Sequence, residues 1–235
     1  MVHQFRREAQ AAQEHAEALI ALSREQGFIF PLVEGTILRG GALAAQGRAE
    51  EGIAQMRQGL AALSATGVGV ARPYYLALLA EAYGRLGQVE EGLAVLAEAL
   101  AVVHKIGQHG IEGLLYWLKG ALTLQQFQVS GSKFQVPSTK TRNQKRETRN
   151  HSPTPNPQAE AEAEACFHKA IEIARQQQAK SWELRAVMSL SRLWQQQGKK
   201  KEAHRMLVEI YGWFTEGFDT KDLQEAKALL AELKR

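Results

Sequence analysis

The most informative stretch of this sequence is Gly47-Arg48-Ala49-Glu50-Glu51-Gly52, because the same pattern returns 40 residues later as Gly87-Gln88-Val89-Glu90-Glu91-Gly92. A third copy, Gly198-Lys199-Lys200-Lys201-Glu202-Ala203, lies near the end of the 235-residue sequence. A fixed period of this length is typical of proteins built from stacked repeat units, each of which covers the apolar face of the next.

Each unit is predicted to contain two helices. Gly87 separates two apolar runs, and glycine is common at helix C-termini because it tolerates positive φ. Pro73 suits the first turn of the earlier helix. The sequence therefore predicts an antiparallel pair of helices in each unit. The apolar residues at helical spacing are Leu76, Leu79, Tyr83 and Leu86 in the first helix, and Leu93, Leu96, Leu100 and Val103 in the second.

The predicted helices carry glycine at positions where glycine is costly. A glycine inside a helix destabilises it by about 1 kcal/mol relative to alanine. The small residues are nevertheless in phase with the repeat, since Gly40, Ala80 and Gly120 lie 40 residues apart. We expect the missing side chains to allow close approach of neighbouring helices. The glycines concerned are Gly40, Gly41, Gly52, Gly59, Gly84, Gly92 and Gly120.

This pattern resembles the tetratricopeptide repeat (TPR) family, most fully in the second unit. The resemblance implies an all-α fold, a TPR-like α-solenoid of antiparallel helix pairs. The units are longer than the usual TPR unit, which implies longer turns between paired helices. The residues that carry the resemblance are Leu76, Leu79, Ala80 and Tyr83, the turn residue Gly87, and then Gly92, Leu96 and Ala99.

The third unit is interrupted by residues 127–157. Its helices are predicted at about 110–126 and 159–178, so a long segment separates them. That segment begins with a seven-residue tandem duplication and contains six Lys or Arg residues against one Glu. Such composition buries little apolar surface, which predicts a disordered, basic, low-complexity insertion. The expected organisation is helical repeats over 1–126 and 158–235 on either side of the insertion 127–157.

The two ends of the solenoid are predicted to differ. Residues 5–26 match the second helix of a unit whose first helix is missing, so one face of this helix is expected to be uncovered. This suggests a piece of a longer solenoid, or self-association through the uncovered N-terminal helix. At the other end, Asp219 is a candidate N-cap for a helix over 220–233, which would cover the last apolar face.

The C-terminal part of the sequence is similar to the TPR region of large bacterial signalling proteins. The similarity rests on Ser181-Trp182-Glu183-Leu184-Arg185-Ala186, Leu193-Trp194-Gln195-Gln196-Gln197-Gly198, and the stretch 211–227. Those proteins are predicted signal-transduction ATPases, often joined to a cyclase or kinase domain. The resemblance implies a bacterial protein whose partner is another protein, a peptide, or a neighbouring ATPase, adenylate or guanylate cyclase, or kinase domain.

We find no sequence pattern for catalysis, and we expect no enzyme activity, cofactor or metal. The phosphate-binding loop G-x-x-x-x-G-K-[ST] of the signalling ATPases is missing. Cys166 is the single cysteine, which excludes an internal disulfide or a multi-cysteine zinc site. His104 and His109 lie at a helix junction without a neighbouring acidic set. The sequence has neither a signal-peptide core nor a membrane-spanning run, so a cytoplasmic location without membrane contact is expected.

The resemblance implies a concave groove lined by the first helix of each unit. Trp117 and Met188 have an alternative assignment to the core. An aromatic anchor flanked by arginines suits a binding hot spot. The family's groove positions correspond to one stripe of Ile37, Ala77, Trp117 and Met188, and to a more polar set of Glu34, Tyr74, Glu81, Arg85, Gln125, Arg185, Arg192 and Gln196.

The leading hypothesis is a protein–protein interaction scaffold, the regulatory or sensory module of a bacterial signalling protein, which binds its partner in the groove. The alternative is a regulatory subunit of a separately encoded cyclase or ATPase. Nucleic-acid binding through the basic insertion is the least favoured hypothesis. The net charge of +4 comes from the insertion, so the rest of the chain is not basic, and no aromatic residue is interleaved with the basic run.

Overall fold

The computed structural model describes residues 2–66, 69–107, 109–133 and 156–234. Within these ranges the chain forms eleven α-helices and no β-strand. The helices are α1 (Val2–Phe5), α2 (Ala9–Gln26), α3 (Ile29–Ala45), α4 (Ala49–Thr66), α5 (Arg72–Leu86), α6 (Val89–Ile106), α7 (Glu112–Lys133), α8 (Pro157–Gln176), α9 (Lys180–Gln196), α10 (Lys200–Tyr211) and α11 (Lys221–Leu233).

The helices stack as pairs that follow one another along the chain. Helix α3 packs on α4, α5 on α6, α7 on α8, and α9 on α10. The first helices of successive pairs also touch, since α3 meets α5, α5 meets α7, and α7 meets α9. This is the all-α solenoid of antiparallel helix pairs that the repeat predicts. Within the described ranges, no helix has the length and apolar character that crossing a membrane requires.

The described turns between paired helices, 46–48, 87–88 and 197–199, are only two or three residues long, so the prediction of longer turns is wrong. In each of them, and in the turn from α8 to α9, a residue in the left-handed conformation follows the first helix. Gly87 has a φ of 79°, and the following amide of Gln88 donates to the Tyr83 carbonyl at 2.9 Å. A hydrogen bond to the carbonyl five residues earlier defines the Schellman motif. Glycine is favoured at its left-handed position because it has no β-carbon to clash there. Between α8 and α9, Gln178 takes the equivalent place with a φ of 55°. The next amide, that of Ala179, donates to Ala174 at 2.8 Å.

The predicted close approaches are confirmed where paired helices cross. A β-carbon on Gly52 of α4 would lie 2.4 Å from the Gly40 carbonyl oxygen of α3. On Gly120 of α7 it would lie 2.7 Å from the Phe167 ring of α8. Neither distance is possible for a real side chain, so these glycines set the spacing of the helix pairs.

The buried side chains form two hydrophobic clusters. The first extends from α2 to α7, and the second from α8 to α11. Trp117 of α7 packs against both clusters. Trp182 lies on α9 but packs against the first cluster. These two indoles therefore join the two halves of the solenoid.

The interruption of the third unit differs from its predicted bounds. Helix α7 continues to Lys133, seven residues beyond the predicted end. The added residues 127–133 include Gly131 and two serines, so their helix propensity does not explain the extension. A helix that is already nucleated adds one hydrogen bond for each residue it fixes, which favours its continuation. Helix α8 begins at Pro157, with the Asn156 side chain accepting from the amides of Gln158 and Ala159. The remainder of the predicted disordered insertion lies outside the described residues.

The N-terminal helix also differs from its prediction. The structure divides it into α1 and α2, with Arg7 between them in a left-handed conformation at a φ of 62°. Helix α2 packs on α3. Leu22, Phe28 and Ile29 are exposed at this end of the solenoid, and the predicted self-association through it stays a prediction.

The predicted N-cap at Asp219 is wrong by one residue. Helix α11 begins at Lys221, and Thr220 occupies the N-cap position with an extended backbone. The Asp219 carbonyl instead accepts from the Gln224 side chain at 3.2 Å. Helix α11 packs on α9 and α10 and buries Leu223, Ala226, Leu229 and Leu233.

Candidate binding groove

The first helices of the pairs surround a cavity of about 170 Å³, which we call the inner groove. Helices α5, α7 and α9 form its walls, α11 contributes Asp222 and Glu225, and residues of α1 together with Arg7 complete the lining. The side chains that line it are Gln4, Phe5, Arg7, Tyr74, Ala77, Leu78, Glu81, Leu114, Trp117, Leu118, Trp182, Arg185, Met188, Ser189, Arg192, Asp222 and Glu225.

Seven of the twelve residues predicted for the groove meet at this cavity. They come from three helices that are distant in sequence. The prediction grouped them because each lies on the first helix of its unit. The seven are Tyr74, Ala77, Glu81, Trp117, Arg185, Met188 and Arg192.

The remaining five predicted residues lie elsewhere. Ile37 is fully buried against Gly59 of α4, so it belongs to the core and not to the groove. Gln125 donates to the Gly84 carbonyl at 2.7 Å. Arg85 is exposed beside a shallow depression between α3, α4 and α5. Glu34 lies near the buried Tyr75 hydroxyl and contributes, after burial, to raising the pKa of that phenol. Gln196 is exposed.

Trp117 has both of the roles that were considered for it. Its ring packs against both hydrophobic clusters, and it also lines the groove. Its indole N–H donates to the Ser189 hydroxyl of α9 at 2.9 Å. The ring is therefore held in one orientation by a partner on the facing helix, as a rigid wall of the groove.

Arg185 is the most constrained charge in the groove. Its side chain is 9% exposed and lies over the Trp182 ring, 4.7 Å from the centroid. Its Nε donates to the Asp222 carboxylate at 2.7 Å, and its guanidinium also donates to the Phe5 carbonyl. Burial of an arginine is costly unless its donors find acceptors. Here a carboxylate and a backbone carbonyl accept hydrogen bonds from Arg185, and the indole ring adds a cation–π contact.

Helix α1 lies against the groove-facing sides of α3 and α5. The Gln4 amide donates to the Leu38 carbonyl at 2.9 Å and accepts from the Tyr74 hydroxyl at 2.8 Å. The Phe5 ring lies 5.3 Å from Tyr74 and meets Trp182 edge-on at 5.5 Å. Burial raises the pKa of Tyr74 well above its usual value, so its hydroxyl stays a donor.

Arg7 connects this segment to the last helix. Its guanidinium donates to Asp222 at 3.2 Å and to Glu225 at 2.9 Å. Arg192 approaches the same Glu225 carboxylate at 3.6 Å. Partial burial opposes ionisation of Glu225, but the hydrogen bond and the charge of Arg7 outweigh it, and the pKa of this carboxyl is lowered.

Sequence reasoning missed the residues that the two ends of the chain bring to the groove. Phe5 and Arg7 are placed by contacts with residues 177 to 218 positions away, for which no local pattern exists. Trp182 and the acidic pair Asp222 and Glu225 did carry a signal. Trp182 lies one helical turn before Arg185, and the acids lie three residues apart on one helix face.

Two other groups of polar residues were also considered. Glu112 contacts both His104 and His109, at 3.2 and 2.8 Å, which gives these histidines one acidic neighbour but not an acidic set. In the described part of the chain no group of three or more potential ligands could hold a metal ion. Cys166 is buried, which raises the pKa of its thiol and keeps it protonated.

No protein-family model matches this chain, and no curated protein matches its sequence. The fold is similar to that of a kinesin light chain-like protein from Podospora anserina with nearly identical TPR-like repeats. The identity is 17%, the TM-score is 0.51, and the match covers 99% of this chain and 93% of that one. It is also similar to BtubC (BKLC) from P. vanneervenii, at 14% identity and a TM-score of 0.60, over 97% and 90% of the two chains.

This chain has the fold of a TPR-like solenoid. At such low identity the likeness concerns the fold alone, because one fold carries many unrelated functions. The binding properties of the groove therefore depend on its own side chains.

Proposed function

We propose that this chain is a protein-interaction module that binds a segment of another protein in the inner groove. The observation that carries the proposal is the convergence of seven predicted groove residues on one cavity. A rigid stack of helices supplies the walls, and a binding site on rigid elements loses little entropy when it is filled.

The composition of the groove suits a peptide better than a small metabolite. Its side chains combine two indoles and a phenol with both arginines and carboxylates. Trp, Tyr and Arg are the residues that carry most binding energy at protein interfaces. The groove already holds peptide backbone, since Arg185 donates to the Phe5 carbonyl.

We further propose that the module serves a bacterial cytoplasmic signalling protein. Two of the stretches similar to such proteins, 181–186 and 211–227, supply Trp182, Arg185, Asp222 and Glu225 to the groove. The partner would be an ATPase, cyclase or kinase domain, either in the same protein or encoded separately. A purified complex with a separately encoded ATPase or cyclase would favour the second arrangement.

An exposed groove residue gives the sharpest test. Arg192 lines the groove, but its side chain is 46% exposed, so Arg192→Trp should fold normally and lose the partner, because the bulky indole narrows the groove. Arg205→Trp makes the same substitution at an exposed position on α10, which contributes no residue to the lining. Far-UV circular dichroism checks the fold of both variants.

The measurement is affinity capture from the native cell extract, followed by titration of each captured protein in purified form. We expect a partner that binds the wild type and Arg205→Trp but loses at least about tenfold in affinity with Arg192→Trp. A partner that binds all three proteins equally would show that the interaction surface lies outside the groove.

A further inference from the structure

Residues 2–7 cross the inner groove from one end of the solenoid to the other. Gln4 contacts α3 and α5, Phe5 contacts α5 and α9, and Arg7 contacts α11. The groove wall has space for this segment, because Gly41 of α3 faces Gln4 and a β-carbon there would lie 3.0 Å from the Gln4 amide nitrogen.

The segment is held by its side chains and by its backbone. Phe5 fills the corner between Tyr74 and Trp182, and the Phe5 carbonyl accepts from Arg185. These contacts join an aromatic side chain and one peptide group to side chains of the groove, as in the recognition of a short peptide by a preformed site.

Arg7 ends the segment in a conformation that arginine rarely adopts. Its φ of 62° lies in the left-handed region, which residues other than glycine enter at a cost. Such a conformation persists where surrounding contacts determine it. Here the backbone contacts are those of a helix C-terminus, since the Glu8 amide donates to the His3 carbonyl at 2.8 Å. The ion pairs to Asp222 and Glu225, more than 200 residues away in sequence, hold the Arg7 side chain.

The charges in this part of the groove are complementary. Asp222 and Glu225 form an acidic pair on α11, and Arg185 and Arg192 of α9 approach them from the other side. Arg7 adds a third arginine to this cluster. A ligand without a positive charge at the position of the Arg7 guanidinium would leave the negative charges of Asp222 and Glu225 less fully neutralised.

We propose that residues 2–7 are an internal ligand of the groove, and that the external partner is a protein segment with an aromatic residue two positions before an arginine. This inference rests on the proposed function and specifies its ligand. The aromatic side chain replaces Phe5 between Tyr74 and Trp182, and the arginine replaces Arg7 beside Asp222 and Glu225. The partner binds when it displaces the internal segment.

Competition of this kind lowers the apparent affinity for any external ligand. A segment attached by a short linker has an effective concentration of about millimolar at its own site. An external ligand binds only the fraction of molecules whose groove is open. Weakening the internal segment should therefore strengthen the binding of a free peptide that makes the same contacts.

The experiment uses a fluorescein-labelled peptide with the sequence of residues 2–8, Val-His-Gln-Phe-Arg-Arg-Glu, and the full chain. Anisotropy titrations compare the wild type with Phe5→Ala/Arg7→Ala. Arg24→Ala/Phe28→Ala is the matched control, because it removes the same two residue types from exposed positions that do not line the groove. A third protein combines Phe5→Ala/Arg7→Ala with Glu225→Lys.

We expect Phe5→Ala/Arg7→Ala to bind the peptide with a Kd at least about tenfold lower than that of the wild type. The control should match the wild type. The added Glu225→Lys should raise the Kd again by about tenfold or more, since it opposes the peptide arginine.

Equal affinity for the wild type and Phe5→Ala/Arg7→Ala would overturn the internal ligand. The lack of any binding to Phe5→Ala/Arg7→Ala would overturn the assigned partner chemistry. Neither result affects the capture experiment, in which the proposed function fails only if the Arg192→Trp protein keeps its partner. The two proposals therefore fail in different measurements.

Discussion

Single glycines determine how closely the helices of this solenoid pack. Gly40 and Gly52 bring α3 and α4 into backbone contact, and Gly120 gives the Phe167 ring its place against α7. The sequence predicted this role because glycine recurs in phase with the repeat at positions where alanine would be the better helix former.

Gly52→Ala should therefore destabilise the protein. Its β-carbon would lie 2.4 Å from the Gly40 carbonyl oxygen, which is backbone and cannot rotate away. We expect the free energy of unfolding to fall by about 1–3 kcal/mol, measured by urea denaturation. Gly113→Ala is the control, because its β-carbon would meet its first neighbour at 3.5 Å, an ordinary contact. A Gly52→Ala protein as stable as this control would show that the helices can move apart freely.

The side of a helix on which a residue lies was harder to predict. Ile37 and Ala77 were assigned to the same stripe and both belong to the first hydrophobic cluster, yet only Ala77 also lines the groove, whereas Ile37 faces Gly59. One residue turns a helix by 100°, so a small error in register exchanges the groove side for the core side. The repeat period fixes which helix lines the groove but leaves this rotation open.

The helices and their order along the chain could be predicted from short sequence patterns. Turn glycines and apolar spacing predicted the paired helices, because these signals act within a few residues. The ends of α7 and α8 were missed, although Asn156 followed by Pro157 is a helix start that sequence rules describe. The position of α1 had no local signal, since it depends on contacts of Gln4 and Phe5 with α3, α5 and α9 and on the ion pairs of Arg7 with α11.

The contact between Arg7 and α11 should depend on pH. The pKa of Glu225 in the folded protein lies below the ordinary glutamate value of about 4.3. The ionised carboxylate therefore contributes stability above that value, and the contribution is lost as the pH falls through the lowered pKa. At neutral pH the ion pair is intact.

Glu225→Gln should reveal this dependence. We expect the variant to have a lower Tm than the wild type at pH 7, with the difference shrinking as the pH falls from about 5 to 3. Thermal unfolding followed by circular dichroism across this range measures it. A Tm difference that stays constant down to pH 3 would mean that the charge of Glu225 does not hold α1.

Contacts across the inner groove connect the N-terminal and C-terminal helices of the solenoid. The two hydrophobic clusters meet at Trp117, and Trp182 reaches from the second half into the first. Residues 2–7 add contacts from α3 to α11 across the same space. A solenoid is held mainly by neighbouring units, so this additional connection between distant units marks the groove as the place where binding would affect the whole stack.

The four tryptophans provide the most direct test of the claim that the groove is the binding surface. Trp117 and Trp182 line the groove, whereas Trp194 bonds to Glu164 of α8 and Trp213 is exposed after α10. The measurement is the indole N–H region of the ¹⁵N NMR spectrum of Phe5→Ala/Arg7→Ala during titration with the peptide of residues 2–8. We predict saturable shifts of the Trp117 and Trp182 signals, with those of Trp194 and Trp213 unchanged. Signals of Trp117 and Trp182 that do not move at saturating peptide, whatever the other two do, would contradict the account.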